Sequence, residues 1–177
     1  MLLDLLRTRR SVRRYTGQPL EAEQISRMLE AALLCPSSKN KRPWHLVVVQ
    51  NRDMLAQLAA AKPHGASFVR HAAAAIVVCG DASVSDIWTT DCALAAFAVH
   101  LEASDLGLAS CWVQLHEREH DDKETAAAYV ARLLGLPEHL QVLALVAAGY
   151  PAESKPPHDP VQLDQVSGER FGQPWRG

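Results

Sequence analysis

The stretch 75–80 reads AIVVCG and carries no charged side chain. A strand that is apolar at every position, rather than at alternate positions, is covered on both of its faces. We therefore predict a buried strand with helices on both sides of its sheet. The following stretch, 85–106, is long and mostly apolar, which is typical of a helix in the middle of a domain.

Hydrophobic spacing predicts the remaining elements. Prolines bound the helix that begins near residue 21, and Gly107 and Gly135 mark the ends of two later helices. Besides the strand and helix above, the predicted helices cover 2–8, 21–34, 54–61 and 125–134, and the predicted strands cover 45–50, 109–115 and 142–150. Four strands and five helices in this order predict an α+β fold with three layers.

Length and composition indicate a single domain spanning 1–177. The 177 residues are 48% hydrophobic, which is enough for one core. A net charge of -2 and a pI near 6.4 disfavour a general nucleic-acid role. No stretch approaches the ~20 apolar residues of a membrane span, so we expect no membrane association.

Cysteine usage and the N-terminus bear on localisation. The opening MLLDLLRTRR has Asp4 inside its apolar run and no small-residue cleavage site, so it is predicted to be a helix rather than an export signal. The four cysteines form no CxxC pair, which argues against a cysteine-based zinc site. We predict buried, reduced thiols in a cytoplasmic protein.

Five of the thirteen arginines fall in the run RTRRSVRRY at 7–15. Arginine is well suited to phosphate because its planar fork donates two parallel hydrogen bonds. In an extended stretch, Arg9, Ser11 and Arg13 would point to the same side. On a helix, Arg10, Arg13 and Arg14 would instead form a solvated basic face. From the residues alone, a phosphate site, a solvated face and a nucleic-acid contact all remain open.

The segment CPSSKNKRPWH at 35–45 breaks every regular pattern. Its hydroxyl, amide and basic side chains can hold a polyol or the edge of a heterocycle. By composition alone, an ordinary turn between a helix and a strand explains it equally well.

The segment HEREH at 116–120 fits the H-E-x-x-H pattern of zinc hydrolases. Its charged interior and its place after a predicted strand favour a solvated loop. Neither the G-x-G-x-x-G nor the G-x-x-x-x-G-K-[ST] fingerprint occurs. Asp91 and His100, on the apolar helix, are interpreted as core polar groups with satisfied hydrogen bonds.

Taken in order, five segments resemble the nitroreductase family of FMN-dependent oxidoreductases. They are RRSVRRY at 9–15, PSSKNKRPW at 36–44, Asp91 with the apolar run behind it, LGLASCW at 106–112 and GYPAESKPP at 149–157. Each segment is weakly specific alone, and the ordered set covers nearly the whole chain. The short length is similar to that of the smaller bacterial members.

The resemblance implies the three-layer family fold, with a mixed central sheet of four to five strands flanked by helices. It implies a homodimer with one FMN in each of two interface pockets, and a C-terminal extension that packs on the partner subunit. It further implies that NADH or NADPH delivers hydride to flavin N5, and that a nitroaromatic, quinone or related small acceptor then uses the same pocket by a ping-pong mechanism. A non-catalytic flavin-binding protein is the main alternative, and a zinc hydrolase a remote one.

The resemblance also assigns cofactor contacts, and no catalytic side chain or metal ligand. It assigns contacts with the phosphate and ribityl end of FMN to Arg9, Arg10, Ser11 and Arg13. It assigns contacts with the ribityl chain and the ring edge to the loop residues Pro36, Ser37, Ser38, Asn40 and Arg42. It assigns the backbone that passes the flavin ring to Trp112, Val113 and Gln114.

Two departures from the family pattern stand out. The family commonly has Gln where Arg42 stands, so Arg42, like Lys39, is a candidate cation for stabilising reduced flavin. The family often has a basic residue after the GYP turn to complete the phosphate site. Here Pro157 and His158 occupy that place, and we expect Lys155 or His158 to serve instead.

Overall fold

The computed structural model describes residues 1–175. Nine elements of the sequence prediction are confirmed, with boundaries that differ by up to three residues. The helices are α1 (Leu2–Thr8), α2 (Ala22–Leu33), α3 (Arg52–Ala59), α4 (Trp88–Asp105) and α5 (Ala126–Leu134), and the strands are β1 (Trp44–Val49), β2 (Ala74–Asp81), β3 (Ala109–Gln114) and β4 (Leu140–Gly149).

The four strands form one sheet in the order β1-β2-β4-β3, and all three neighbouring pairs are antiparallel. All eight residues of β2 are buried, which confirms the prediction of two covered faces. The sheet has four strands, which agrees with the expected four to five. The predicted mixed pairing is wrong for the strands themselves, because parallel pairing in residues 1–175 is limited to the bridge between Ser11 and Ser110.

Alternate residues of β2 separate two core layers. Ile76 and Val78 pack with the layer of α2 and α4, where Met28 and Val99 are fully buried. Val77 packs with the opposite layer, formed by α3 and α5 together with the short 3-10 helix Ser67–His71. The helix–sheet–helix arrangement confirms the predicted three-layer α+β fold.

Local hydrogen bonds explain where two helices begin. α3 begins two residues before its predicted start because the Asn51 side chain accepts from the backbone N–H of Met54 at 3.0 Å. α4 begins three residues late because Asp81 accepts hydrogen bonds from both the backbone and the hydroxyl of Ser83, which holds the preceding segment in a turn. Gly80 allows the start of α4 to approach β2, since a Cβ there would collide with the Trp88 ring.

The chain that leaves β4 returns to the N-terminal segment. Pro151 bridges Tyr15, the backbone N–H of Ala152 donates to Arg14 O at 2.9 Å, and that of His158 donates to Arg7 O at 3.0 Å. Residues 153–158 therefore lie beside the arginine run. Beyond them the chain is mostly exposed, including Phe171, and its packing on a partner subunit stays a prediction.

Among the helices within residues 1–175, none combines the length and the apolar character that crossing a bilayer requires.

Candidate functional site

Arg9, which ends α1, directs its side chain toward α4. Its Nη1 lies 2.8 Å from Nε2 of His100, and its Nη2 lies 3.3 Å from Nε2 of His158. Its Nε is buried and has no hydrogen-bond partner in residues 1–175. A buried donor without an acceptor is costly, so this nitrogen points to an absent group.

His100 is 5% exposed, in the middle of an apolar helix. Its Nδ1 is hydrogen-bonded to Oγ of Ser110 on β3. Burial and, to a lesser extent, the neighbouring Arg9 charge lower the pKa of His100 to about 4. The imidazole is therefore neutral near pH 7 and accepts a hydrogen bond from Arg9. The interpretation of His100 as a satisfied core group is confirmed.

The N-terminal segment 9–13 and the later segment 155–158 lie together around the Arg9 side chain. Ser11 bridges Ser110, and Nζ of Lys155 donates to Ser11 O at 2.7 Å. Nη1 of Arg10 donates to the carbonyl oxygens of Pro156 and Pro157. We define the basic cluster as the six predicted site residues that these two segments bring together: Arg9, Arg10, Ser11, Arg13, Lys155 and His158.

Arg13 lies at the edge of the basic cluster. Its backbone N–H donates to Oε1 of Glu153 at 2.8 Å, and its guanidinium carbon lies 5.8 Å from the centre of the Phe68 ring. Arg9 and Arg13, which an extended stretch would point to the same side, contact different side chains. Arg9 contacts His100, whereas Arg13 lies over Phe68.

Lys155 of the basic cluster is paired with Glu153 at 3.8 Å, whereas three guanidinium groups of the cluster carry uncompensated positive charge. Within residues 1–175, no carboxylate lies within 4.0 Å of the guanidinium groups of Arg9, Arg10 or Arg13. Burial raises the pKa of the Cys111 thiol, and the charges of Arg13, Lys155 and Arg9 oppose that rise. These cations therefore act on a common region, which would attract an anion.

The other arginines of the run differ. Nη1 of Arg7 pairs with Asp4 at 3.5 Å on the surface, and Arg14 is exposed. Arg7 and Arg14 therefore lie outside the basic cluster.

The 36–42 loop is anchored on α4. The backbone N–H of Ser38 donates to Oδ1 of Asp91 at 2.9 Å, and the Ser85 hydroxyl donates to Oδ2 at 3.2 Å. Asp91 is thus a satisfied buried polar group, as predicted. At the loop's end, the backbone N–H of Arg42 donates to Oγ of Ser37 at 2.9 Å.

Three residues of the 36–42 loop adopt left-handed backbone conformations: Lys39 (φ 51°), Asn40 (φ 55°) and Arg42 (φ 48°). Such conformations are uncommon for residues other than glycine and cluster at ligand sites. Nε of Arg42 donates to Oδ1 of Asn40 at 2.9 Å. Both side chains are exposed, as is Pro36, whereas Ser37 and Ser38 are half-buried. Hydrogen bonds therefore hold the loop in a defined conformation.

β3 places the third group of predicted contacts at an edge of the sheet. Nε1 of Trp112 donates to Oε1 of Gln114 at 3.0 Å, and Nε2 of Gln114 donates to His116 O at 3.1 Å. Val113 is buried. Since β3 is an edge strand of the described sheet, its outer backbone groups can face a ligand.

α4 relates the basic cluster to the 36–42 loop. Asp91 holds the loop and His100 holds Arg9, and the nine-residue separation of these positions corresponds to roughly 13.5 Å along the helix axis. The loop therefore lies at the first turn of α4, and the basic cluster lies beyond its midpoint.

The HEREH segment does not form a metal-binding helix. It is a loop in which Glu117 has φ 55°. The His116 ring meets Trp88 edge-on at 5.1 Å, and the His120 ring stacks on Tyr129 at 4.1 Å. This geometry contradicts the zinc-hydrolase alternative. No group of three candidate metal ligands is found in residues 1–175.

Sequence reasoning missed the residues that hold the site in place. His100, Ser110 and Asp91 were not assigned to it, and Asp91, Ser110 and Glu153 were noted only within the segments that carry the resemblance. A polar residue inside an otherwise apolar helix was the available signal for His100 and Asp91. For Ser110 the available signal was its place in the segment LGLASCW.

Fold and site together define a three-layer α+β protein in which one central helix contacts both a basic cluster and a loop with three left-handed residues. The sequence model of the nitroreductase family matches residues 6–74 and 60–150. A "Putative NADH dehydrogenase/NAD(P)H nitroreductase" of Methanothermobacter thermautotrophicus is 35% identical over 173 residues, which cover 96% of this chain and 87% of that protein. The chain belongs to the nitroreductase family.

Solved structures support the same relationship. An FMN-dependent nitroreductase from Clostridium difficile R20291 has a TM-score of 0.94 at 34% identity, covering 96% of this chain and 99% of the other. A nitroreductase with bound FMN from Bacteroides fragilis NCTC 9343 has a TM-score of 0.76 at 29% identity, covering 96% and 98%.

Proposed function

We propose that this chain is an FMN-dependent oxidoreductase that uses NADH or NADPH to reduce a small acceptor. The observation that carries this proposal is the basic cluster, in which, within residues 1–175, Arg9 has a buried Nε without an acceptor and three guanidinium groups lack a carboxylate. The family and the FMN-containing relatives supply the identity of the anion.

The residues present fit FMN. A terminal phosphate would neutralise the basic cluster and provide the acceptor that Arg9 lacks. Lys155 takes the place of the basic residue that the family often has after the GYP turn, because its Nζ already lies at Ser11. The amide and hydroxyl groups of the 36–42 loop would suit the ribityl chain and the ring edge.

Bound FMN would supply the redox chemistry, taking hydride from the nicotinamide and passing electrons to a nitroaromatic, quinone or related acceptor. The chain would bind and orient FMN: the basic cluster would hold the phosphate, and the edge of β3 would lie beside the ring. Arg42 and Lys39 would place positive charge beside the ring. No side chain is needed as acid, base or nucleophile.

We further propose that the two co-substrates use one pocket in turn. Such ping-pong kinetics give parallel lines in double-reciprocal plots of rate against NADH at several acceptor concentrations. Intersecting lines would show that both co-substrates bind together.

A homodimer is proposed from the apolar surface beside the loop. Leu94 and Phe97 of α4 are 42% and 39% exposed, and Leu34 at the end of α2 is 76% exposed. Sγ of Cys35 donates to Leu94 O at 3.4 Å, so these side chains belong to one surface. We call Leu34, Leu94 and Phe97 the apolar patch. A second copy of this chain would cover it through a twofold contact.

The dimer would also bring the two parts of the site together. If the α4 helices of two subunits pack antiparallel through the apolar patch, the His100 end of one helix meets the Asp91 end of the other. Each pocket would then take its basic cluster from one subunit and its loop from the partner.

Mixing subunits tests this arrangement. One chain carries Arg9→Ala with Arg13→Ala, and the other carries Asn40→Ala with Arg42→Ala. We expect both variant homodimers to bind FMN weakly, and a purified heterodimer to bind one FMN tightly, because one pocket keeps both wild-type parts. A heterodimer as weak as either homodimer would place both parts in the same subunit.

The phosphate assignment is tested by Arg9→Ala with Arg13→Ala alone. Each lost charge-assisted hydrogen bond should weaken FMN by roughly 1.5–3 kcal/mol. We expect a protein that purifies colourless, with Arg70→Ala, an exposed arginine outside the cluster, as the control. A fully yellow double variant would contradict the assignment.

A further inference from the structure

The guanidinium of Arg9 has two distinct edges. Nη1 lies 2.8 Å from Nε2 of His100, while the opposite edge consists of Nε and Nη2. Nε is buried without a partner in the described chain. The side of the guanidinium that can bind an oxyanion with two parallel hydrogen bonds is therefore the side that His100 does not use.

His158 reaches only Nη2 of that edge, and Nε has no partner in residues 1–175. Its Nε2 lies 3.0 Å from Arg9 O and 3.3 Å from Arg9 Nη2. One ring nitrogen cannot donate to the carbonyl and accept from the guanidinium at once. With the proton on Nε2, the shorter contact is a hydrogen bond to Arg9 O, and Nη2 then lacks an acceptor, as Nε does.

The tautomer of His100 follows from its two neighbours. Arginine has no acceptor, so Nε2 of His100 must carry a lone pair toward Arg9. Nδ1 then carries the proton and donates to Oγ of Ser110, whose hydroxyl can donate back to His100 O at 3.5 Å. His100 is thus held from two sides, by the N-terminal segment and by β3.

We propose that His100 is a positioning residue for the cofactor phosphate: it fixes Nη1 of Arg9 so that the Nε–Nη2 edge faces the anion. This inference rests on the proposed function, since the anion is taken to be the FMN phosphate. His100 itself does not contact the cofactor.

Riboflavin, which lacks the phosphate, separates this role from a merely structural one. A general disturbance of α4 would weaken FMN and riboflavin alike. A loss of Arg9 positioning would weaken FMN alone.

The experiment measures dissociation constants of FMN and riboflavin for the full-length apoprotein by quenching of flavin fluorescence. His100→Leu removes both hydrogen bonds. His100→Gln keeps an acceptor for Arg9 and a donor for Ser110. Ser104→Ala is the matched control, because Ser104 bonds only the carbonyl of His100, at 3.1 Å.

For H100L we expect the dissociation constant of FMN to rise about tenfold or more, and that of riboflavin to change less than about twofold. H100Q should recover most of the FMN affinity, and Ser104→Ala should leave both constants near wild type. Equal weakening of both flavins, or an unchanged FMN constant, would overturn the proposal.

Two further variants keep the outcome decisive. Ser110→Ala removes only the partner of Nδ1 and should weaken FMN binding by a few-fold without affecting riboflavin, which gives a second measurement if H100L does not fold.

In an Arg9→Ala background, H100L should have no additional effect on FMN binding. If Arg9→Ala itself leaves the preference for FMN over riboflavin unchanged, the phosphate assignment of the proposed function fails. If Arg9→Ala abolishes the preference and H100L does not alter it, only the role of His100 fails.

Discussion

The backbone N–H of Ser38 donates to Oδ1 of Asp91 across 2.9 Å, and this carboxylate is 2% exposed. Its second oxygen accepts from the Ser85 hydroxyl. A buried acid on α4 therefore fixes a loop that is held in left-handed conformations at three positions.

Asp91→Ala should destabilise the protein by roughly 1.5–3 kcal/mol, because it leaves the half-buried N–H of Ser38 and the buried hydroxyl of Ser85 without their acceptor. The free energy of unfolding in urea measures this loss. Asp86→Ala, at an exposed acid five residues earlier, is the control and should change stability by less than about 0.5 kcal/mol. Equal stability of the two variants would mean that Asp91 does not anchor the loop.

His100 should make stability depend on pH in a defined window. Burial and Arg9 lower the pKa of His100 to about 4 from the 6.5 of a free imidazole. Between these values the unfolded chain binds the proton and the folded chain does not, so the free energy of unfolding falls as the pH drops from about 6.5 toward 4. The full effect is at most ~3 kcal/mol.

H100Q is the control for this window, since an amide does not titrate. The difference in unfolding free energy between wild type and H100Q should vary between pH 6.5 and 4. The carboxylates whose pKa is lowered, among them Asp81 and Glu153, contribute equally to both proteins. A constant difference across the window would contradict a neutral, buried His100.

The contact between Arg9 and His100 also shows what the sequence could and could not predict. The apolar runs of β2 and α4 and the glycines at 107 and 135 predicted element type and position, because periodicity and left-handed helix ends are local properties. The contact of Arg9 with His100 joins positions 91 apart. It depends on the strand order β1-β2-β4-β3 and on residues 9–15 lying beside β3, neither of which a local pattern specifies.

Phe97→Glu should convert the proposed dimer to monomer, because it places a charge in the apolar patch. Sedimentation velocity measures the change, and FMN affinity should fall with it if the pocket lies at the interface. Ala60→Glu, at an exposed position after α3 on the opposite layer, should leave the dimer intact. A dimeric Phe97→Glu protein would mean that subunits meet elsewhere.

Arg42→Gln should lower the reduction potential of the bound flavin, because a cation beside the ring stabilises its reduced, negatively charged form. Equilibration with a reference dye under anaerobic conditions measures the potential. Arg42→Lys keeps the charge and should shift the potential less. If Arg42→Gln leaves the potential unchanged, the charge of Arg42 does not act on the ring.

The most direct test of the central claim is the visible absorption spectrum of the purified protein reconstituted with FMN, recorded anaerobically before and after addition of NADH or NADPH. We predict bound-flavin bands that bleach on addition of the nicotinamide and return when a quinone or nitroaromatic is added. A protein that takes up no FMN would contradict the proposed site. Bound flavin that neither nucleotide reduces would indicate a flavin-binding protein without the proposed activity.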